Sequence, residues 1–471
     1  MEYRLEFNAN NYTIKTLSLA TQTIMYRAYE KIVYVKKPVD INYQIMNIYV
    51  LEAYYNGKTI NGYTTETAPI FFENAVYGYL PAKPASPDQT YIPDEYRDDI
   101  TYQSTNDLSQ NSLAVALSKG YVVVTPGVRG RTTQDESGKY TGKAPACIVD
   151  LKAVVRYLRY NAVIVPGNVE KIIANGISAG GALSSLLGAT GNSKDYEPYL
   201  RSLGAADARD DIFAASCYCP ITNLDNADLA YEWLFYGISN YTGTTGQGKM
   251  TADQIRVSEK LKVMFPAYVN SLGLKNDSGT ELTLDADGNG NFKDYVKCFI
   301  ISSAQKAMDS GTDLSTLPWL IITGEQITDI DFGKFIEYAT RMKPTAAFDG
   351  LDLSNDENDL FGTANVKAQH FSQFAWENST SDASLADPSI VKMMNPMNYI
   401  VAEETSIAKH WRIRHGTVDR DTALAIPIIL ATMLQNKGID VDFELSWDKG
   451  HDGDYDLDDL FDWIVSICAE K

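Results

Sequence analysis

A mostly parallel β-sheet flanked by helices and carrying one large insertion is the α/β architecture that this sequence predicts. Three observations carry it. Short β-branched or apolar runs alternate with amphipathic stretches in the first half of the chain and again near its end. A glycine-framed serine directly follows one of those runs. Between about residues 223 and 395 the alternation lapses and turn-rich stretches take over. The expected division is therefore residues 1–222 and 396–471 as two parts of one core, with 223–395 inserted as a lid.

Taken in order, Pro69 to Phe72 reads as an early strand, with the small loop Tyr77-Gly78-Tyr79 beyond it. Tyr121 to Thr125 is a β-branched strand, ended by the glycine-rich turn Pro126 to Gly130. From Ala146 to Tyr160, Ile148, Leu151, Val154, Val155 and Leu158 recur at spacings of three and four, one apolar stripe on a helix. Lys171 to Ala174 is a buried-strand candidate that leads through a tight turn into a small-residue helix, Gly180 to Gly188. Phe213 to Cys219 is a further strand, closed by Pro220.

The insertion holds turn-rich stretches at 241–249, 277–291, 349–358 and 378–384, and a long helix predicted over Ala252 to Val269. Alternation then resumes with a strand at Trp411 to Arg414, a helix from Thr422 to Asn436 and a strand at Val441 to Leu445. An amphipathic helix follows from Leu457 to Cys468.

With 41 Lys plus Arg against 61 Asp plus Glu, the chain of 471 residues carries a net charge of −20. A duplex-binding protein needs a basic footprint to displace counterions, so nucleic acid is not an expected partner. The same charge opposes docking on an anionic membrane, and no apolar run approaches the ~18 residues of a membrane span. The five cysteines are odd in number and scattered, and the first residues lack the basic flank and apolar run of a signal peptide. A cytoplasmic protein is the expectation, and nothing in the sequence selects an oligomeric state.

The chemistry concentrates at Gly176-Ile177-Ser178-Ala179-Gly180-Gly181. A G-x-S-x-G pattern between a strand and a helix puts its serine on a strained turn that only small neighbours accommodate. A serine hydroxyl needs a base, and the chain has four histidines: His370, His410, His415 and His451. In the α/β-hydrolase arrangement the order is serine, acid, histidine. His451 fits, in the polar loop after the last strand; His415 precedes every nearby acid and reads as a core imidazole. His370 and His410 have no motif context. The acid belongs after the penultimate strand, where Asp419 and Asp421 both qualify and spacing does not choose between them. Ala179 and Gly78 are the candidate backbone donors to an oxyanion. Asp285, Asp287 and Asn289 mimic the start of a calcium loop, but Val296 stands where a glutamate is required, so a turn is expected. Cys217 and Cys219 have the wrong spacing for a zinc or redox pair. Neither a metal nor an organic cofactor is implied.

Several stretches together resemble the bacterial tannases (tannin acyl hydrolases) of the α/β-hydrolase superfamily. They are Gly127 to Thr133, Gly176 to Gly181, Tyr218 to Pro220, Ile301 to Gln305, Arg341 to Lys343, Glu357-Asn358 with Leu360 to Gly362, Lys409 to Gly416 and Gly453 to Leu457. The resemblance implies a serine esterase acting on galloyl esters, small phenolic molecules, and selects Asp419 as the acid beside Ser178 and His451. It further implies that Lys343, Glu357 and Asp421 bind the galloyl hydroxyls and that Ile221 lies against the ring. Tyr77 stands where a second glycine is expected and Asp356 where a proline is expected. A feruloyl esterase or broad carboxylesterase on the same fold, or a catalytically silent ligand-binding relative, are the competing readings.

Overall fold

A computed structural model describes residues 2–20, 22–88, 111–243 and 246–469. Its core is a nine-stranded sheet. The chain enters through three strands, β1 (Thr13–Ser18), β2 (Thr23–Val33) and β3 (Ile45–Leu51), which pair antiparallel, and β3 then pairs antiparallel with β5 (Val122–Pro126). From there the sheet is parallel: β5 beside β4 (Pro69–Glu73), then β6 (Asn168–Ile177), β7 (Ala214–Tyr218), β12 (His410–Gly416) and β13 (Asp440–Ser446). The central strands read as unbroken apolar runs because helices cover both faces. Ile70, Phe71 and Phe72 on β4, Val122, Val123 and Val124 on β5, and Ile172, Ile173 and Ala174 on β6 are all fully buried.

Helices expected from apolar periodicity lie where the pattern puts them: Ala146–Tyr160, Ala179–Ala189 and Leu457–Ala469. Two expectations need correction. The helix predicted from Thr422 begins at Ala425. The long helix predicted over 252–269 is two helices, Ala252–Lys262 and Phe265–Ser271, with Pro266 in the first turn of the second. Proline lacks an N–H and its ring crowds the preceding turn, so it is tolerated at a helix start and ends the helix before it.

Residues between β7 and β12 add no strand to the large sheet. Their described strands form two separate ladders, β8 (Asn240–Gly243) with β9 (Gly246–Lys249) and β10 (Leu320–Thr323) with β11 (Gln326–Ile330). Trp233 anchors an aromatic cluster of this segment, with Phe265 at 5.1 Å and Phe292 and Phe332 at 6.0 Å between ring centroids. At 285–289 the Asp285 carboxylate accepts the N–H groups of Asp287 and Asn289, closing a turn. The five cysteines are free thiols. Among the described residues no helix is long and apolar enough to cross a membrane.

Candidate active site

Ser178 sits between β6 and the helix Ala179–Ala189 at φ 60° and ψ −119°, a strained conformation for a residue with a Cβ. Small neighbours make it possible. A Cβ on Gly176 would lie 2.5 Å from the Gly180 backbone, and one on Gly180 would lie 2.7 Å from the Asn74 carbonyl oxygen. The turn is tied to β7 and the loop after it: Ser178 N–H donates to the Tyr218 carbonyl at 3.0 Å, and the Ser178 carbonyl accepts from Ile221 N–H at 3.2 Å. Ile221 is buried against it, and its carbonyl accepts the Tyr79 hydroxyl at 2.8 Å.

The loop after β4 runs alongside this turn. Gly180 N–H donates to the Val76 carbonyl at 2.9 Å, and the Asn74 amide donates to Ser184 Oγ at 2.7 Å. Gly78 lies in this loop at φ 51°, its carbonyl accepting Arg131 Nε at 2.8 Å. Ala179 opens the helix next to Ser178.

Asp419 and His451 arrive on two loops stitched at the end of the sheet. Thr417 N–H donates to the Ser446 carbonyl at 2.9 Å, and Val418 N–H to the Lys449 carbonyl at 3.1 Å. His451 Nδ1 then lies 2.9 Å from Asp419 Oδ2 and Nε2 lies 2.8 Å from Ser178 Oγ. Asp419 Oδ1 accepts the Asp421 N–H at 2.8 Å, so both oxygens of that carboxylate are engaged. Burial would raise the Asp419 pKa, but the adjacent His451 and His415 more than offset it and bring it to about 2. Burial would likewise lower His451, yet Asp419, Cys219 and Asp421 lift it well above its ordinary 6.5.

The other histidines are placed differently. His415 is buried with Nδ1 3.5 Å from Asp419 Oδ2, and neither ring nitrogen has a hydrogen-bond partner. His370 is held in the inserted segment by Asp349 and Ser379, at 2.6 and 2.9 Å. His410 pairs with Asp440 at 2.9 Å. Cys219, Asp419 and His451 each offer a ligand-type atom within 4.8 Å of the others, the one such group among the described residues. Both His451 nitrogens there are already in hydrogen bonds.

Asp421 extends the cluster toward the insertion. Its Oδ1 is 2.5 Å from Lys343 Nζ and its Oδ2 is 3.2 Å from His451 Nε2. Lys343 also lies over the Phe348 ring, 4.2 Å from its centroid. Burial opposes charge on Lys343, but Asp421 and Glu357 hold its pKa above the ordinary range. Glu357, in the helix Asp356–Leu360, is pushed up to about 7 by burial despite Lys343.

Two supporting residues escaped the sequence reading. Tyr231 donates to the Arg420 carbonyl at 2.9 Å and accepts from Met342 and Lys343 N–H at 3.1 and 3.0 Å, tying Lys343 to the loop of Asp419 and Asp421. Arg131 joins Gly78 to the Glu357 helix through Asp356 at 2.8 Å and Asp359 at 2.7 Å, so Asp356 serves an ion pair where a proline was expected. Arg131 lies within the Gly127 to Thr133 stretch, the only sequence signal for it.

A family model described as BD-FAE matches residues 100–242. No curated protein matches the chain. Among solved structures, the native tannin acyl hydrolase from Lactobacillus plantarum is 46% identical over 98% of this chain and 99% of its own, with a TM-score of 0.93. A tannin acyl hydrolase in complex with ethyl gallate is 46% identical over 98% and 99%, with a TM-score of 0.92. Fusobacterium nucleatum tannase is 46% identical over 99% and 100%, with a TM-score of 0.92.

Proposed function

Since this chain belongs to the tannase (tannin acyl hydrolase) family, we propose that Ser178, His451 and Asp419 are the catalytic triad with which it hydrolyses galloyl esters. It is an ester hydrolase, and solved relatives in complex with ethyl gallate and with 3,4-dihydroxybenzoate support the substrate class. The observation that carries the mechanism is the continuous line Ser178 Oγ, His451 Nε2, His451 Nδ1, Asp419 Oδ2, with contacts of 2.8 and 2.9 Å.

Ser178 Oγ attacks the galloyl carbonyl carbon while its proton passes to His451 Nε2. Asp419 holds the ring with Nδ1–H directed at its carboxylate and stabilises the imidazolium. Backbone N–H groups of Ala179 and Gly78 receive the oxyanion of the tetrahedral intermediate. The C–O bond to the alcohol breaks as His451 returns its proton to the departing oxygen. Water, deprotonated by the same nitrogen, then cleaves the acyl-enzyme and gallate leaves.

Residues 223–395 act as the lid that supplies Lys343 and Glu357, and Asp421 completes the set that meets the three ring hydroxyls. Carboxylates accept from those hydroxyls, the ammonium donates to a phenolic oxygen, and Ile221 packs on the ring. Initial rates on methyl gallate and methyl benzoate test the assignment. Rapid release of gallate with slow hydrolysis of the benzoate is expected; equal rates would make this a broad carboxylesterase.

A further inference from the structure

Asp421 touches two machineries at once. One carboxylate oxygen pairs with Lys343 and the other lies 3.2 Å from His451 Nε2, the atom that also meets Ser178 Oγ at 2.8 Å. The consequences differ between the two forms of the ring. In the neutral ring with Nδ1–H directed at Asp419, Nε2 is a lone pair, and a carboxylate beside it shares no hydrogen. In the imidazolium, Nε2–H points at an acceptor that is already in place. Asp421 therefore favours the charged ring.

We propose that Asp421 couples ring recognition to proton transfer: its carboxylate retains the proton on His451 in the free enzyme, and a phenolic hydroxyl of the bound ester, donating to the same carboxylate, releases the imidazole to act as a base. The proposal rests on the substrate reading above and extends it, because the ligand that loosens the proton is a hydroxylated benzoate and not an ester at large. An ester without ring hydroxyls gains no such release.

Every group facing His451 bears on its charge. Asp419 and Asp421 come from the loop after β12, with His415 behind Asp419; Cys219 follows β7, Ser178 follows β6, and Asp452 is on the histidine's own loop. Burial would raise the Asp421 pKa, yet Lys343 and His451 hold its carboxyl below the ordinary range, so it stays an anion beside the ring. Of these groups, Asp421 is the one that also contacts Lys343.

The test reads His451 directly. With four histidines in the chain, ¹³Cε1-histidine NMR resolves each titration, and loss of a signal in His451→Gln assigns it. In full-length Ser178→Ala protein, which cannot turn over, saturating methyl gallate is expected to lower the His451 midpoint by about one pH unit or more, the scale of one nearby charge. Methyl benzoate at the same concentration should leave it in place. Asp421→Asn in the same background should lower the midpoint without ligand and remove the response to methyl gallate. A midpoint indifferent to Asp421→Asn, or one that stays put on saturation with methyl gallate, overturns the coupling while the substrate reading stands. If methyl gallate fails to bind, the substrate reading falls, and the ligand-driven release falls with it. Should Asp421→Asn not fold, the contrast between the two esters in the parent background decides alone.

Discussion

The sheet-edge loops and the inserted segment build one site by different means. Ser178, Asp419 and His451 stand on turns at the ends of the parallel strands β6, β12 and β13, with β7 between the first two, where register fixes where each loop emerges. Lys343 and Glu357 are delivered by a segment that adds no strand to that sheet and is anchored by side chains such as Tyr231 and Arg131. On the proposed assignment, chemistry is thus held by backbone, and recognition by a scaffold of polar contacts. Damage to the first should be general and large, and damage to the second selective and smaller.

The largest effect is expected from Ser178→Ala. Loss of the nucleophilic oxygen should cost turnover on the order of 10⁴–10⁶-fold with every ester, leaving the residual acceleration of the oxyanion donors. Thermal unfolding should be nearly unchanged. Substantial hydrolysis by this variant would break the comparison at its root.

His451→Ala should also abolish turnover, whereas His415→Ala should mainly change stability, because His415 is buried without hydrogen-bond partners. The acid limb of the rate profile follows from the sign of the His451 shift. The base must be neutral, and its folded pKa is raised above 6.5, so kcat/KM should climb through a midpoint above that value as pH rises. A midpoint well below 6.5, or an active His451→Ala enzyme, would mean another group is the base.

Legibility of the molecule divides along the same line. The serine turn could be read because its strain demands small residues at fixed offsets, which any sequence displays. The central stretches of β4 to β7 could be read because burial on both faces makes them short apolar runs, whereas β12 and β13, which carry His410, Arg412, Arg414, Asp440, Asp442 and Glu444, were legible through their alternation with helices. The antiparallel strands β1 and β2 went unread: with one face exposed, Thr13–Ser18 and Thr23–Val33 mix polar and apolar residues and carry Lys15, Arg27, Glu30 and Lys31. Spacing could not separate Asp419 from Asp421, since both face His451 from the same loop and approach different ring nitrogens. Nor could periodicity reveal Tyr231 or Arg131, whose polar partners lie 53 to 228 residues away. Lys343 and Glu357 entered through family likeness alone.

The next effect in size concerns that recognition set. Lys343→Met and Glu357→Gln should each lower kcat/KM for methyl gallate roughly tenfold to hundredfold, the value of a charged hydrogen bond of about 1.5–3 kcal/mol. Methyl benzoate hydrolysis, slow already, should change little. Equal losses on both esters would place these residues in general support of folding or catalysis and erase the division between scaffold and chemistry.

The smallest effect, and the sharpest probe of the division, belongs to Tyr231→Phe. The phenolic oxygen takes part in three hydrogen bonds that bind the Met342–Lys343 backbone to the Arg420 carbonyl, and it touches none of the reacting groups. Phenylalanine keeps the ring, so the packing against Phe235 at 4.8 Å and the cation contact with Arg341 at 5.4 Å survive. What is lost is the tether that sets Lys343 against Asp421. With net hydrogen bonds worth about 0.5–1.5 kcal/mol each, and the loop free to relax toward water, KM for methyl gallate should rise about threefold to tenfold. Its kcat should hold, because Asp419 keeps its bonds to His451 and to the Asp421 N–H. Methyl benzoate, which does not call on Lys343, should be hydrolysed at the parent rate. If kcat falls on both esters instead, Tyr231 is positioning the acid loop itself, and the inserted segment is then part of the catalytic frame rather than a scaffold laid over it.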